Sequence, residues 1–221
     1  MTASPLPHGT TPSPFPRSPV RLIAVVALLL ACLAAVAPPA HATGRHARLR
    51  AHAAAHRGCG PGGGVLSSRR SVLRTQRRML CLMNHARARF GLRPLHTNQC
   101  LHRVAARHAH DMVNRRYFAH NTPNGWDPGR RARASGYVPR AARWLVGENI
   151  AWGVAGAASA TWVVHAWMHS PPHRHNILGR HFRDVGIGVA PGIPLRGFRG
   201  VHARATFSVE FGAHAGRTRC G

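Results

Sequence analysis

Carboxylates are scarce in this chain of 221 residues and imidazoles are abundant, with five Asp and Glu against 18 His. The acids are Asp111, Asp127, Glu148, Asp184 and Glu210, so any carboxylate chemistry must draw on these five. A neutral imidazole binds borderline cations such as zinc and titrates near neutral pH. Three separated stretches hold groups of these types: Tyr117-Phe118-Ala119-His120, then Gly147-Glu148-Asn149-Ile150-Ala151, then Ala166-Trp167-Met168-His169-Ser170-Pro171-Pro172-His173-Arg174-His175-Asn176-Ile177-Leu178. The sequence contains no H-E-x-x-H, no G-x-S-x-G and no P-loop. It contains no C-x-x-C either, which weighs against a zinc ribbon.

The elements that must position these residues can be read from periodicity and caps. A first helix is expected from about Ser68, with Val72, Met79, Met83, Ala86 and Phe90 as its apolar stripe and Gly91 closing it. Asn98 caps a second, striped by Leu101, Val104, Ala105, His108, Met112 and Val113. Residues 119–126 have turn chemistry, and Asp127-Pro128 opens a short helix to about Ser135. A connector leads to Gly147. A helix over 158–170 is stopped by Pro171-Pro172. Val185, Ile187 and Val189 mark one strand, and Ala205, Phe207, Val209 and Phe211 another. Helices followed by late strands imply an α+β domain, with helices covering a small antiparallel sheet.

Arg17 and Arg21 precede an apolar run from Leu22 to Ala37, and Ala40-His41-Ala42 is an A-x-A cleavage signal. This is the pattern of a secretory signal peptide over 1–42, and the run is shorter than the roughly 20 residues that span a bilayer comfortably. The expected product is secreted and carries no membrane span. Removal of Cys32 leaves Cys59, Cys81, Cys100 and Cys220, an even set that suits two disulfides outside the cell. Three pairings are possible, of which Cys59–Cys81 with Cys100–Cys220 is preferred. Residues 43–66, rich in Gly, Arg and His, hold too little apolar area to order themselves and read as a flexible arm. A domain over 67–215 and a tail over 216–221 complete the chain.

The formal net charge is +26, and every basic residue is Arg. The Arg residues are dispersed, so most of this charge reads as compositional bias. The functional reading is capture of anionic polymers at a cell surface, or of nucleic acid.

Taken in order and at these spacings, the three stretches resemble the CAP superfamily of cysteine-rich secretory proteins, antigen 5 and pathogenesis-related proteins, in its bacterial secreted branch. Leu82-Met83-Asn84-His85-Ala86-Arg87, the strand Val185-Gly186-Ile187-Gly188-Val189-Ala190 and Phe211-Gly212 extend the resemblance over about 76–212. It implies an α-β-α sandwich with a cleft of two His and two acids, the His pair able to hold a divalent metal. His120 matches the first His, Glu148 the Glu of the G-E-N motif, and His173 the second His, in the bacterial form S-P-x-H-R. The second acid of the family falls near Trp167-Met168-His169-Ser170, where this chain has Ser170 and no carboxylate.

Two imidazoles leave coordination positions open for water or a ligand, and a nearby Glu can orient a His or polarise a bound water. The expected cleft is therefore His120, Glu148, Asn149, His169, Ser170 and His173, with His120 and His173 as metal ligands and zinc as the expected ion. Glu148 is the one candidate for catalysis. His175 beside His173, and His165 at i, i+4 from His169, are extra imidazoles best explained by composition. Trp152, Trp162 and Trp167 read as core. Three functions compete: a binding module holding a cation and an extracellular lipid, peptide or cell-surface ligand; a metal-dependent peptidase or nuclease-like hydrolase; and an electrostatic binder of anionic polymers. The missing second acid favours the first.

Overall fold

The computed structural model describes residues 58–60, 66–138, 143–198, 200–216 and 220. The expected signal peptide, most of the 43–66 arm and most of the 216–221 tail lie outside the described residues.

Four of the five described helices start where a side chain replaces the missing backbone acceptor; the helix Pro171–Ile177 has no such side-chain cap. Helix α1 spans Arg69–Ala88, and Ser68 and Ser71 cap it reciprocally. Strand β1, His96–Thr97, leads into α2, Gln99–Arg115, whose N-cap Asn98 accepts from the amides of Cys100 and Leu101. Helix α3, Pro128–Ala134, starts with Asp127 accepting from the Arg130 amide and Pro128 in the first turn. Strand β2, Trp144–Val154, passes through a 3₁₀ turn, Ala155–Ala158, into α4, Ala160–Met168. Helix α5, Pro171–Ile177, precedes β3, Asp184–Pro191, and β4, Arg204–His214.

The four strands form one sheet in the order β1-β3-β4-β2. β4 runs antiparallel to both neighbours, from Trp144↔His214 to Val154↔Arg204 on β2 and from Asp184↔Gly212 to Pro191↔Ala205 on β3. β1 adds a two-residue parallel edge to β3, so the sheet is mixed.

Alternation along the strands sends side chains to two covered faces. Val185, Ile187, Val189, Phe207, Val209 and Phe211 pack with Met79, Leu82 and Met83 of α1, Val163 and Trp167 of α4, and Ile177 of α5. The other face of β3 presents Gly186 and Gly188, where an added Cβ would land on the α2 backbone at Leu101 and Ala105. Helix α2 therefore lies directly on the strand, with α3 beside it in a second cluster of Leu101, Ala132 and Tyr137. The result is an α-β-α sandwich. Arg87 fastens the first layer: fully buried, it donates to the carbonyls of Arg93, Ile177, Gly179 and Phe182 at 2.8–3.1 Å. The two disulfides are Cys59–Cys81 and Cys100–Cys220.

Several local expectations change. The connector before Gly147 gives way to an 11-residue strand carrying Glu148. Pro171-Pro172 ends α4 and also opens α5, because proline is tolerated in a first helical turn. Phe90 lies beyond α1 and is 49% exposed, under the Arg174 guanidinium at 5.0 Å. Of the three tryptophans read as core, Trp167 is buried, Trp152 is half-buried and Trp162 is 50% exposed on the outer side of α4.

Candidate functional site

The site gathers at β2, an edge strand of the sheet. Glu148 is a buried carboxylate in the middle of it. Its Oε1 accepts from His120 Nδ1–H at 2.6 Å, and its Oε2 accepts from Arg131 at 2.6 Å and from the Ser208 hydroxyl at 3.2 Å. Arg131, on α3, also donates to Glu210 at 3.2 Å and to the carbonyls of His120 and Trp126 at 2.6 and 3.0 Å. That guanidinium links the loop carrying His120 to the two strands behind it.

Glu148 and Glu210 are cross-strand partners in the β2–β4 register, and both are buried. Burial works to raise the Glu148 pKa, but the His120 hydrogen bond and the Arg131 charge outweigh it and hold the group below its ordinary value. Glu210 goes the other way: full burial, then the Glu148 charge, push it well above the carboxylate range. The two shifts oppose one another, so Glu148 holds the charge more readily and Glu210 the proton. His108 lies 3.5 Å from Glu148 Oε2 and 3.1 Å from the Ala119 carbonyl through the same Nε2. Burial depresses its pKa despite the neighbouring carboxylate, so His108 is a neutral positioning group and not half of an ion pair.

His173 reaches the site from α5, which packs on the opposite face of the sheet through Ile177. Its Nδ1 lies 2.8 Å from the Ser170 hydroxyl, and its ring is stacked 6.2 Å from Trp167. Burial first, then the charge of His120, lowers its pKa, so the two imidazoles feel one another across the edge of β2. Asn149 donates to the His173 carbonyl at 3.0 Å, and Asn176 donates to the Glu148 carbonyl at 3.0 Å and to Asn149 Oδ1 at 2.9 Å. These amides fix α5 to the free edge of the strand.

His169 points elsewhere. Its Nδ1 lies 2.8 Å from the His165 carbonyl, and it lines a separate cavity of about 670 Å³ with Leu145, Met168, Arg174, His175 and Phe182. Among the described residues, one trio of metal-capable side chains has donors within 4.8 Å of one another: Cys59, Cys81 and His85, with both sulfurs in a disulfide. His120, Glu148 and His173 form no such trio.

Sequence reasoning missed Glu210, Arg131, Ser208 and His108. Thr206, Ser208 and Glu210 alternate with apolar residues on β4 and look like a solvated face, yet all three are buried. No second acid stands near Ser170, but Glu210 supplies a second carboxyl to the site in space.

The chain matches the CAP, cysteine-rich secretory protein, family over residues 80–198, more than half its length. It is 34% identical over 118 residues to the uncharacterized protein YkwD of Bacillus subtilis, covering 53% of this chain and 43% of that protein. It is 30% identical over 115 residues to the uncharacterized membrane protein YlbC of the same organism, covering 52% of this chain and 31% of that one. The chain thus spans less than half the length of these curated relatives. An extracellular SCP-domain protein of Bacillus anthracis superposes with a TM-score of 0.52 at 24% identity, covering 67% of this chain and 44% of that one. An outer surface protein of Borrelia burgdorferi does so with a TM-score of 0.54 at 19% identity, covering 69% and 99%. These two share the fold. No helix among the described residues is long and apolar enough to cross a membrane. The motifs in order, the sandwich that brings them to one strand edge and the family match agree: this chain belongs to the cysteine-rich secretory protein (CAP) family.

Proposed function

We propose that this protein is an exported binding module that holds a divalent cation, zinc by the chemistry of its donors, between His120 and His173, and engages an extracellular ligand at that cleft. One observation carries the reading: both Nδ1 atoms are already engaged, His120 by Glu148 and His173 by Ser170, which turns both Nε2 atoms over to a ligand. A carboxylate behind a ligating imidazole fixes its tautomer and raises its basicity. With two protein ligands and no trio of metal-capable side chains at the cleft among the described residues, water or the partner molecule completes the coordination. Bound zinc would supply Lewis acidity toward such a ligand. The depressed His173 pKa keeps that ring neutral and ready to ligate at pH 7.

Export is supported by the 1–42 signal pattern and the two disulfides. The hydrolase reading is weaker because Glu148, the candidate base, is held by His120, Arg131 and Ser208 and kept ionised. The excess of Arg supports anionic polymers as a further class of partner, which salt would displace.

Calorimetric titration with zinc tests the cleft. Wild type should bind near one equivalent, and the His120→Ala/His173→Ala double variant should lose it. Equal affinity in both would end this reading. Turnover on peptide or phosphodiester substrates that disappears in Glu148→Gln would promote the hydrolase instead.

A further inference from the structure

A second recess lies behind the cleft, a cavity of about 280 Å³ lined by Arg103, Val104 and Arg107 of α2, by Arg131 and Ala134 of α3, and by Trp126 and Ser135. We propose that this recess is a binding site for a phosphate monoester, separate from the imidazole cleft.

Three observations carry it. Arg103 and Arg107 stand at i, i+4 on one exposed helix face, a like-charge pair that destabilises a helix unless an anion lies between. Neither is neutralised by a described residue. Arg103 donates only to the sulfurs of Cys100 and Cys220, at 3.3 and 3.2 Å, and sulfur is a weak acceptor. Arg107 has no hydrogen-bond or ion-pair partner among the described residues. The third guanidinium, Arg131, is 9% exposed, and its buried Nε has no partner although its other two nitrogens are fully engaged. A fourth, Arg130, lies over the Trp126 ring at 4.5 Å beside the recess.

None of the five acids of the chain pairs with Arg103 or Arg107. Asp111 takes Tyr117 and Arg115, Asp127 caps α3, Asp184 takes Tyr137 and His214, and Glu148 and Glu210 share one terminal nitrogen of Arg131. No side-chain carboxylate is left to neutralise Arg103 and Arg107, which an external anion can do. Guanidinium forks match the oxygens of phosphate, and the volume suits one phosphate group with a small substituent.

The test is NMR titration of the purified chain with inorganic phosphate, then glycerol phosphate, followed through the Trp126 indole N–H, which Trp126→Phe assigns. A saturable shift is expected with both. Arg103→Ala/Arg107→Ala should weaken binding at least tenfold; both residues are exposed, so the fold should survive. Arg69→Ala/Arg70→Ala, an exposed pair on α1, and His120→Ala/His173→Ala should leave affinity within twofold. A shift that never saturates, an equal loss in the α1 pair, or no loss in the α2 pair would overturn the proposal. So would duplex DNA outcompeting glycerol phosphate without moving the indole, which would reduce the effect to surface charge.

Discussion

Two glutamates that face each other in a strand register cannot both ionise when both are buried and a single guanidinium terminus serves them. Glu148 keeps the charge and Glu210 the proton. The folded pKa of Glu210 stands above its unfolded value, so its contribution to stability is complete below the carboxylate range and is lost as pH rises through the window above it. Glu210→Gln keeps the shape and removes the titration. Relative to that variant, wild type should lose up to about 1.4 kcal/mol per pH unit as pH rises above the ordinary carboxylate range. Urea midpoints along that rise measure it, and a pH-independent difference would refute a protonated Glu210. Glu148→Gln tests the support given to His120: zinc affinity should fall by roughly 10- to 100-fold, as for other groups behind a ligating imidazole. His120, Glu148 and His173 were legible because each sits in a short, distinctive string. Glu210 was not, since a polar residue at every second position of β4 looks the same whether water or a helix covers it.

The helix starts were the most legible elements, because a cap is local chemistry: Ser68, Asn98 and Asp127 each accept from an amide two or three residues on. β2 was hidden. Its register with β4 joins residues some 60 apart, and Gly147, Glu148 and Asn149 dilute its apolar pattern. Gly186 and Gly188 were visible only as small residues between apolar ones; the structure gives them a cause, the direct seat of α2 on β3. Gly188→Ala should cost about 2 kcal/mol or more, because the backbone it meets cannot rotate aside. That corresponds to a melting temperature lower by roughly 4–8 °C. Wild-type melting in this variant would mean that α2 has room to shift.

At the scale of the molecule, helices ahead of late strands gave the layered α+β class, while the parallel edge of β1 depends on a pairing too short to leave a pattern. The Cys100–Cys220 bridge closes 120 residues, a span that encloses most of the domain. Its replacement by Cys100→Ser/Cys220→Ser should cost up to about 5 kcal/mol by loop entropy, measurable by chemical denaturation against wild type. A much smaller loss would mean that the denatured chain is already compact. The bridge also backs Arg103, on the same helix that carries the buried His108, while Arg131 holds the loop of His120 by its carbonyl. Arg131 works as a keystone. A change at that one position would mimic loss of an imidazole in any metal titration, and a scan of substitutions judged by zinc uptake alone would wrongly score an arginine as a ligand.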